Sequence, residues 1–231
     1  GKVLLKINNK PIIDHLVSRL KKIKKIDEII ISTTNKKTDN VLVKHCIKKN
    51  YNYFRGSETN VLKRVYETAK KFNGKTILFI TADCPIIDIK LTSKILNFYL
   101  KNKFKFDYVG NSFVRSFPDG MDVQVFSYET IKKNFKNVKS KIEKEHVTLG
   151  IKNNPKKFKI KNIIAPKKFF WPDLGLTLDE KQDFILLKKI INHFNKKNKF
   201  FFDLKDVINL LKNKKKKWIK INSHVIRKGD T

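Results

Sequence analysis

Two short stretches hold residue types suited to phosphate chemistry. The apolar run Ile77-Leu78-Phe79-Ile80 leads directly into Thr81-Ala82-Asp83-Cys84-Pro85. A carboxylate just past a buried strand, fixed by a following proline, is well placed to bind Mg²⁺ that bridges nucleotide phosphates. Asp83 is equally well placed to cap a turn, and the residues alone leave both readings open. Tyr51 to Phe54 leads in the same way into Arg55-Gly56-Ser57, a polar turn on which a base, ribose or phosphate can dock, or nothing at all. Pro118-Asp119-Gly120 has the composition of a tight turn. The two cysteines, Cys46 and Cys84, are too few for a disulfide framework and point to a reducing, cytoplasmic setting. Nothing beside Cys84 supports a nucleophile, so it reads as a small core filler.

These loops need strands and helices to hold them. Apolar residues at Ile12, Ile13, Leu16, Val17, Leu20 and Ile23 follow helical spacing, so a helix is expected over Pro11 to Ile23. Glu28 to Ser32, Tyr51 to Phe54, Lys75 to Ile80 and Asp107 to Gly110 read as strands. Asp39, Asn60 and Asp88 are placed to cap the helices between them. Alternating strands and helices with short connections predict an α/β fold, its sheet mostly parallel and flanked by helices. Further on, Val123 to Phe126 and Lys157 to Ile164 are expected as strands. Tyr128 to Phe135, Ile142 to Lys152, Asp179 to Phe194 and Leu204 to Leu211 are expected as helices. His146 falls on the second of these, where a lone histidine is more often structural. Asp179 would cap the third. In an open α/β sheet, ligands bind beyond the carboxyl ends of the strands, where the Asp83 and Arg55 loops fall.

The chain has 231 residues, 40% of them hydrophobic, enough for a core in one good-sized domain. No apolar run approaches membrane-spanning length, and no signal peptide opens the chain. It starts at Gly1 rather than Met, so residues ahead of it are expected. Lys plus Arg exceeds Asp plus Glu by 53 to 21, a formal charge of +32. That excess suggests nucleic acid or an anionic surface. However, only five of the 53 are arginine, the side chain that reads bases bidentately, and the lysines are spread along the chain among Asn, Ile and Phe. In the first helix most lysines lie off the apolar stripe, as on any solvated helix. A specific nucleic-acid partner is therefore not expected. Residues 1–212 read as the domain, and 213–231, following the run Lys212 to Lys217, as a basic tail.

Several of these segments resemble one family, the sugar-activating cytidylyltransferases. They are Phe54-Arg55-Gly56-Ser57-Glu58 with Val61, Leu62 and Arg64; Thr81 to Asp88; Phe117-Pro118-Asp119-Gly120-Met121-Asp122-Val123; Glu143-Lys144-Glu145-His146-Val147-Thr148; and Gly1-Lys2-Val3-Leu4-Leu5 with Lys10-Pro11-Ile12. Five segments in the family's order, over roughly residues 1 to 195, make the resemblance specific. It is nearest the branch named after spore coat polysaccharide biosynthesis protein F, which is related to acylneuraminate and 3-deoxy-manno-octulosonate cytidylyltransferases.

The resemblance implies a Rossmann-like nucleotide-diphospho-sugar transferase fold and transfer of CMP from CTP to a sugar or sugar acid for surface polysaccharide. It implies Mg²⁺ held by Asp83 and Asp179. Lys2, with Asp83, would be catalytic, and Lys2, Arg55, Gly56 and Ser57 would contact the nucleotide. Arg115, Asp119, Gly120, Asp122 and His146 would line the sugar side. It leaves a homodimer open, as relatives are often dimers. Three departures stand out. Of the family's phosphate-binding loop only Gly1 and Lys2 are present, Gly175 stands where arginine is usual, and Gln124 stands where glutamate is usual. A truncated or inactive transferase fold is the second expectation, and a basic nucleic-acid-binding module the third.

Overall fold

Asn8 and Asn9 both adopt left-handed backbone angles, φ 52° and 60°. That pair makes the two-residue turn favoured in hairpins, joining β1 (Lys6–Ile7) to β2 (Lys10–Pro11). The sequence reading did not anticipate this hairpin. In the computed structural model, described over residues 1–225, it leads straight into α1 (Ile12–Leu20). Then follow β3 (Ile30–Thr34), α2 (Asn40–Lys48), β4 (Asn52–Gly56), α3 (Val61–Lys71), β5 (Thr76–Phe79), α4 (Ile89–Asn102) and β6 (Tyr108–Gly110). The second half holds β7 (Gln124–Ser127), α5 (Tyr128–Asn137), α6 (Lys141–Glu145), α7 (Leu149–Lys152), β8 (Ile160–Asn162), α8 (Lys181–Asn195) and α9 (Leu204–Asn209).

The fold is α/β, as expected, but the sheet is mixed rather than mostly parallel. β3 and β4 pair in parallel, while the other sheet runs β5-β7-β6-β8. In it β7 is antiparallel to both neighbours, and only β6 and β8 are parallel. The reason lies in the connection. No helix separates β6 from β7, and a parallel return needs a crossover. β3 and β5 each keep one edge without a strand partner among the described residues, and Ile31 and Leu78 from the two strands pack into the same core. Side chains alternate between the sheet's faces. Val109 and Val125 face α1 and α4, with Leu16, Ile95 and Leu96. Tyr108 and Phe126 face α3 and α5, with Leu62 and Ile131. A third cluster packs α8 and α9 against Ile7, Ile12 and residues 174–178.

Local chemistry adjusts several expected elements. Asn60 and Asp88 cap their helices, accepting from the Lys63 and Leu91 amides at 2.8 and 2.6 Å. Asp39 precedes α2 but turns its carboxylate back to β3, accepting from the Thr33 and Thr34 hydroxyls and the Thr34 amide. The helix expected over Ile142 to Lys152 breaks at His146. There Val147 and Thr148 turn inward, the Val147 carbonyl accepting from Asn134 Nδ2 and the Thr148 hydroxyl donating to Gln124. The Lys212 to Lys217 run is exposed, as expected of a solvated stretch, but Trp218, Ile219 and Ile221 beyond it pack on the α8–α9 core.

One backbone contact organises the loops. The Asp119 amide donates to the Leu174 carbonyl at 2.9 Å, and the Leu176 amide donates back to the Asp119 carbonyl at 2.8 Å. Two residues later the Leu178 amide donates to the Asp83 carbonyl at 2.9 Å. Gly120 permits the approach. Its φ is +92°, and a Cβ there would lie 2.6 Å from the Leu176 carbonyl carbon. Gly120→Ala is therefore expected to destabilise the fold by at least about 2 kcal/mol, combining left-handed strain with a backbone clash. Urea unfolding measures this, and a loss within about 0.5 kcal/mol would show that the segment moves aside easily.

Candidate active site

The Asp83 loop begins where β5 ends. Its first turn is held from below by Cys84, which is buried and whose thiol lies 3.3 Å from the Thr81 hydroxyl. Burial pushes that thiol well above its ordinary pKa, so it stays protonated and unreactive. Asp83 thus faces outward from a fixed turn. Asp179 arrives on the segment that the Asp83 carbonyl anchors through the Leu178 amide.

The expected capping role of Asp179 falls to other residues. Glu180 is the N-cap of α8 and forms a reciprocal capping box with Asp183. Asp183 is fully buried. One of its oxygens accepts from the Asp179 and Glu180 amides at 3.0 and 2.9 Å, and the other from Asn222 at 2.7 Å. The Asp179 carboxylate is left to other work. Lys2 Nζ lies 2.9 Å from Asp179 Oδ1 and 3.3 Å from Asp83 Oδ2. Partial burial pulls the Lys2 pKa down, but the hydrogen bond to Asp179 and the charges of both carboxylates outweigh it, and the pKa ends above its usual value. Three of the residues expected at the centre, Lys2, Asp83 and Asp179, are therefore in direct contact.

Two carboxylate oxygens converging on one ammonium group define a position where a cation is held. Two carboxylates, completed by substrate phosphates and water, are also a usual protein contribution to Mg²⁺. The donor set fits that ion.

Behind this pair lies a second acidic layer. The Thr177 hydroxyl is 3.0 Å from Asp179 Oδ2 and 3.2 Å from Asp119 Oδ2, so it spans the two layers. Asp122 accepts from the Gly120 amide at 3.2 Å. Burial first, and the charge of Asp119 second, push the Asp122 carboxyl up to about 7, against the opposing charge of Arg115. The sequence reading missed Thr177, a residue that only the 174–178 contact makes meaningful.

The other expected site residues lie apart from this cluster. Arg55 donates to the Thr34 carbonyl, Asn40 Oδ1 and the Lys36 carbonyl at 2.8–3.0 Å, tying β4 to the loop after β3. Gly56 is buried, with Arg64 and Phe54 where a Cβ would project. The Ser57 hydroxyl accepts from the Asn60 amide and its carbonyl from Arg64. No hydrogen bond or ion pair among the described residues joins Arg55, Gly56 or Ser57 to Asp83 or Asp179. His146 is exposed at the break between α6 and α7.

The sequence profile of the family described as Cytidylyltransferase matches residues 1–222. The chain belongs to the cytidylyltransferase family. It is 39% identical over 229 residues to protein MJ1063 of Methanocaldococcus jannaschii, covering 99% of this chain and 90% of that one. It is 30% identical over 200 residues to the spore coat polysaccharide biosynthesis protein SpsF of Bacillus subtilis, covering 82% and 79%. A solved cytidylyltransferase from Leptospira borgpetersenii serovar Hardjo-bovis superimposes with a TM-score of 0.87 at 26% identity, covering 98% of this chain and 92% of that one. The fold is therefore the nucleotide-diphospho-sugar transferase fold that the resemblance implied, and the family is one of nucleotidyltransferases. No helix among the described residues is long and apolar enough to cross a membrane.

In this cytidylyltransferase the Asp122 carboxyl has a measurable consequence. Its folded pKa lies above the unfolded value near 3.8. Between about pH 4 and 7 the folded state keeps a proton that the unfolded state has released, so this group's contribution to stability falls as pH rises through that window. Asp122→Asn stays neutral and escapes the loss. Urea denaturation across the range is expected to show the parent losing stability relative to the variant as pH rises. Parallel curves would mean that Asp122 titrates normally.

Proposed function

We propose that this protein transfers CMP from CTP to a hydroxyl of a sugar or sugar acid, as a step in surface polysaccharide synthesis. The observation that carries the reading is the convergence of the Asp83 and Asp179 carboxylates on one cationic group, the Lys2 ammonium, beyond the end of β5. Family membership supplies the nucleotide and the class of reaction. The likeness to the spore coat polysaccharide protein supports a sugar acceptor.

In the reaction the acceptor oxygen forms a bond to the α-phosphorus of CTP. The bond from that phosphorus to the oxygen bridging the α- and β-phosphates breaks. Pyrophosphate leaves with the electron pair, and the hydroxyl proton is lost. The protein's contribution is positioning and charge neutralisation rather than covalent chemistry. Asp83 and Asp179 would hold Mg²⁺, which when bound offsets charge on the phosphate oxygens. Lys2 stands beside them as a mobile cation, released from the carboxylates to pair with the triphosphate. With the Arg55 side chain occupied by β3–α2 loop contacts, nucleotide contact at that turn falls to the backbone of Gly56 and Ser57. Arg115, Asp119, Gly120, Asp122 and His146 are assigned to the acceptor side, with Asp119 and Gly120 acting through the backbone turn they form.

Asp83→Asn keeps the size of the side chain and removes its charge. In the full-length protein, with Mg²⁺ and CTP saturating, nucleotidyl transfer is expected to fall at least about 100-fold, since a metal clamp contributes several kcal/mol at the transition state and ~1.4 kcal/mol is tenfold. The unfolding midpoint should barely move, because the variant keeps the carbonyl that accepts from the Leu178 amide and loses only an ion pair with the partly exposed Lys2. Turnover near that of the parent would remove Asp83 from the chemistry. Loss of folding would assign it to turn capping.

A further inference from the structure

A second concave site lies away from the acidic cluster. The β1–β2 hairpin, the outer face of α1 and the carboxyl end of α2 enclose an open cavity of about 510 Å³. That volume is within the range of small-ligand sites. Its rim carries five lysines: Lys6 and Lys10 from the hairpin, Lys21 just past α1, and Lys48 and Lys49 at the end of α2.

The floor is Asp14, on α1 and only 4% exposed. Its charge is already committed. His45 Nε2 lies 2.7 Å from one of its oxygens, Lys49 Nζ lies 3.8 Å from the other, and the Tyr51 hydroxyl bonds to it as well. Asp14 therefore fixes the floor and offsets part of the rim charge, at Lys49 and Lys10, leaving Lys6, Lys21 and Lys48 without an ion-pair partner among the described residues. Lys10 is half-buried, with its ammonium on the Ser18 hydroxyl at 2.8 Å. Burial, together with the charges of Arg19 and Lys49, holds its pKa below the usual lysine value in spite of Asp14. A like-charged, partly desolvated group is costly for the folded chain on its own. A bound polyanion would offset that cost.

We propose that this cavity binds a compact anion of the phosphate class carrying several charges, such as a pyrophosphate or a longer inorganic polyphosphate. Lysine is a flexible point charge suited to phosphate oxygens and does not impose the planar recognition of arginine. The concave shape selects a short anion that can enter over a polymer backbone that must run past. The proposal is independent of the function assigned to Asp83 and Asp179.

The test is isothermal titration of the full chain with inorganic tripolyphosphate at about 0.15 M salt, without divalent cation. Surface charge alone is largely screened at that ionic strength. The Lys10→Met, Lys48→Met double variant is compared with a control that removes two lysines from the exposed run, Lys212→Met with Lys216→Met. Thermal melts confirm that all three proteins fold. The expected result is one tight site, weakened at least tenfold in the cavity variant and unchanged in the control, with the His45 imidazole resonances shifting as the anion is added. Equal weakening in both variants would mean that the anion responds to net charge alone and would overturn the proposal. So would full-strength binding in the cavity variant, or tripolyphosphate failing to bind the parent.

Discussion

The short backbone contact between residues 174–178 and the turn at Asp119 sets how Asp83, Asp119 and Asp179 stand relative to one another. It is made of amide–carbonyl bonds, two to Asp119 and one to Asp83. Asp83 and Asp179 are 96 positions apart in the chain, yet the bond from the Leu178 amide to the Asp83 carbonyl places their carboxylates on the same ammonium group. Gly120 is required because the two backbones meet too closely for a side chain. From the other side, Asp183 and Asn222 brace the same segment, the asparagine donating to both the Asp183 carboxylate and the Gly175 carbonyl. The C-terminal turn that carries Asn222 is thus part of the frame of the site.

That frame gathers acids in a chain where bases outnumber them by 53 to 21. Asp83, Asp119, Asp122 and Asp179 are linked through Lys2, Thr177 and Gly120. Asp122 shows the cost of this setting in its raised pKa, which burial causes first and the neighbouring charge of Asp119 second. The front pair, Asp83 and Asp179, shares the Lys2 ammonium group. A cluster built this way favours positive charge at its mouth, and on the function proposed above an anionic triphosphate would enter it together with cations. The overall basic charge of the protein is thus a poor guide to its chemistry. The acidic cluster to which the proposed chemistry is assigned is a small region of opposite sign.

Much of the frame was legible in the sequence, and the losses have physical causes. Helical spacing placed α1, α3, α4 and α8, and the caps at Asn60 and Asp88 were readable because each precedes an apolar repeat by the right interval. Asp39 has the same sequence signal, but two threonines on β3 compete for its carboxylate and win. The sheet was expected to be mostly parallel, and the antiparallel β7 makes it mixed; strand spacing carries no information on polarity, and only the missing crossover helix does. Asp83 stood out by its position after an apolar run. Thr177, in contrast, has no local signature. It matters because of a tertiary contact between segments some 55 residues apart, and single-sequence periodicity cannot report such contacts. The lysine cavity was invisible for a related reason: its five lysines come from three elements and look like ordinary solvated charge along the chain.

The first eleven residues connect the two electrostatic regions. Lys2 reaches the acidic cluster, while Lys6 and Lys10 stand at the rim of the basic cavity. Between them Ile7 is completely buried and packs with Ile12 in the core under α8. The Ile12 amide donates to the Leu5 carbonyl, closing the hairpin onto the start of α1. The segment therefore forms a short bracket, its middle fixed by burial and its charged side chains, Lys2 and Lys10, held by hydrogen bonds at either end. A lysine stem allows the ammonium to swing while the backbone stays in place. A change of oxygen partners at the Lys2 ammonium, which the proposed function would require, could then take place without disturbing the packing of Ile7.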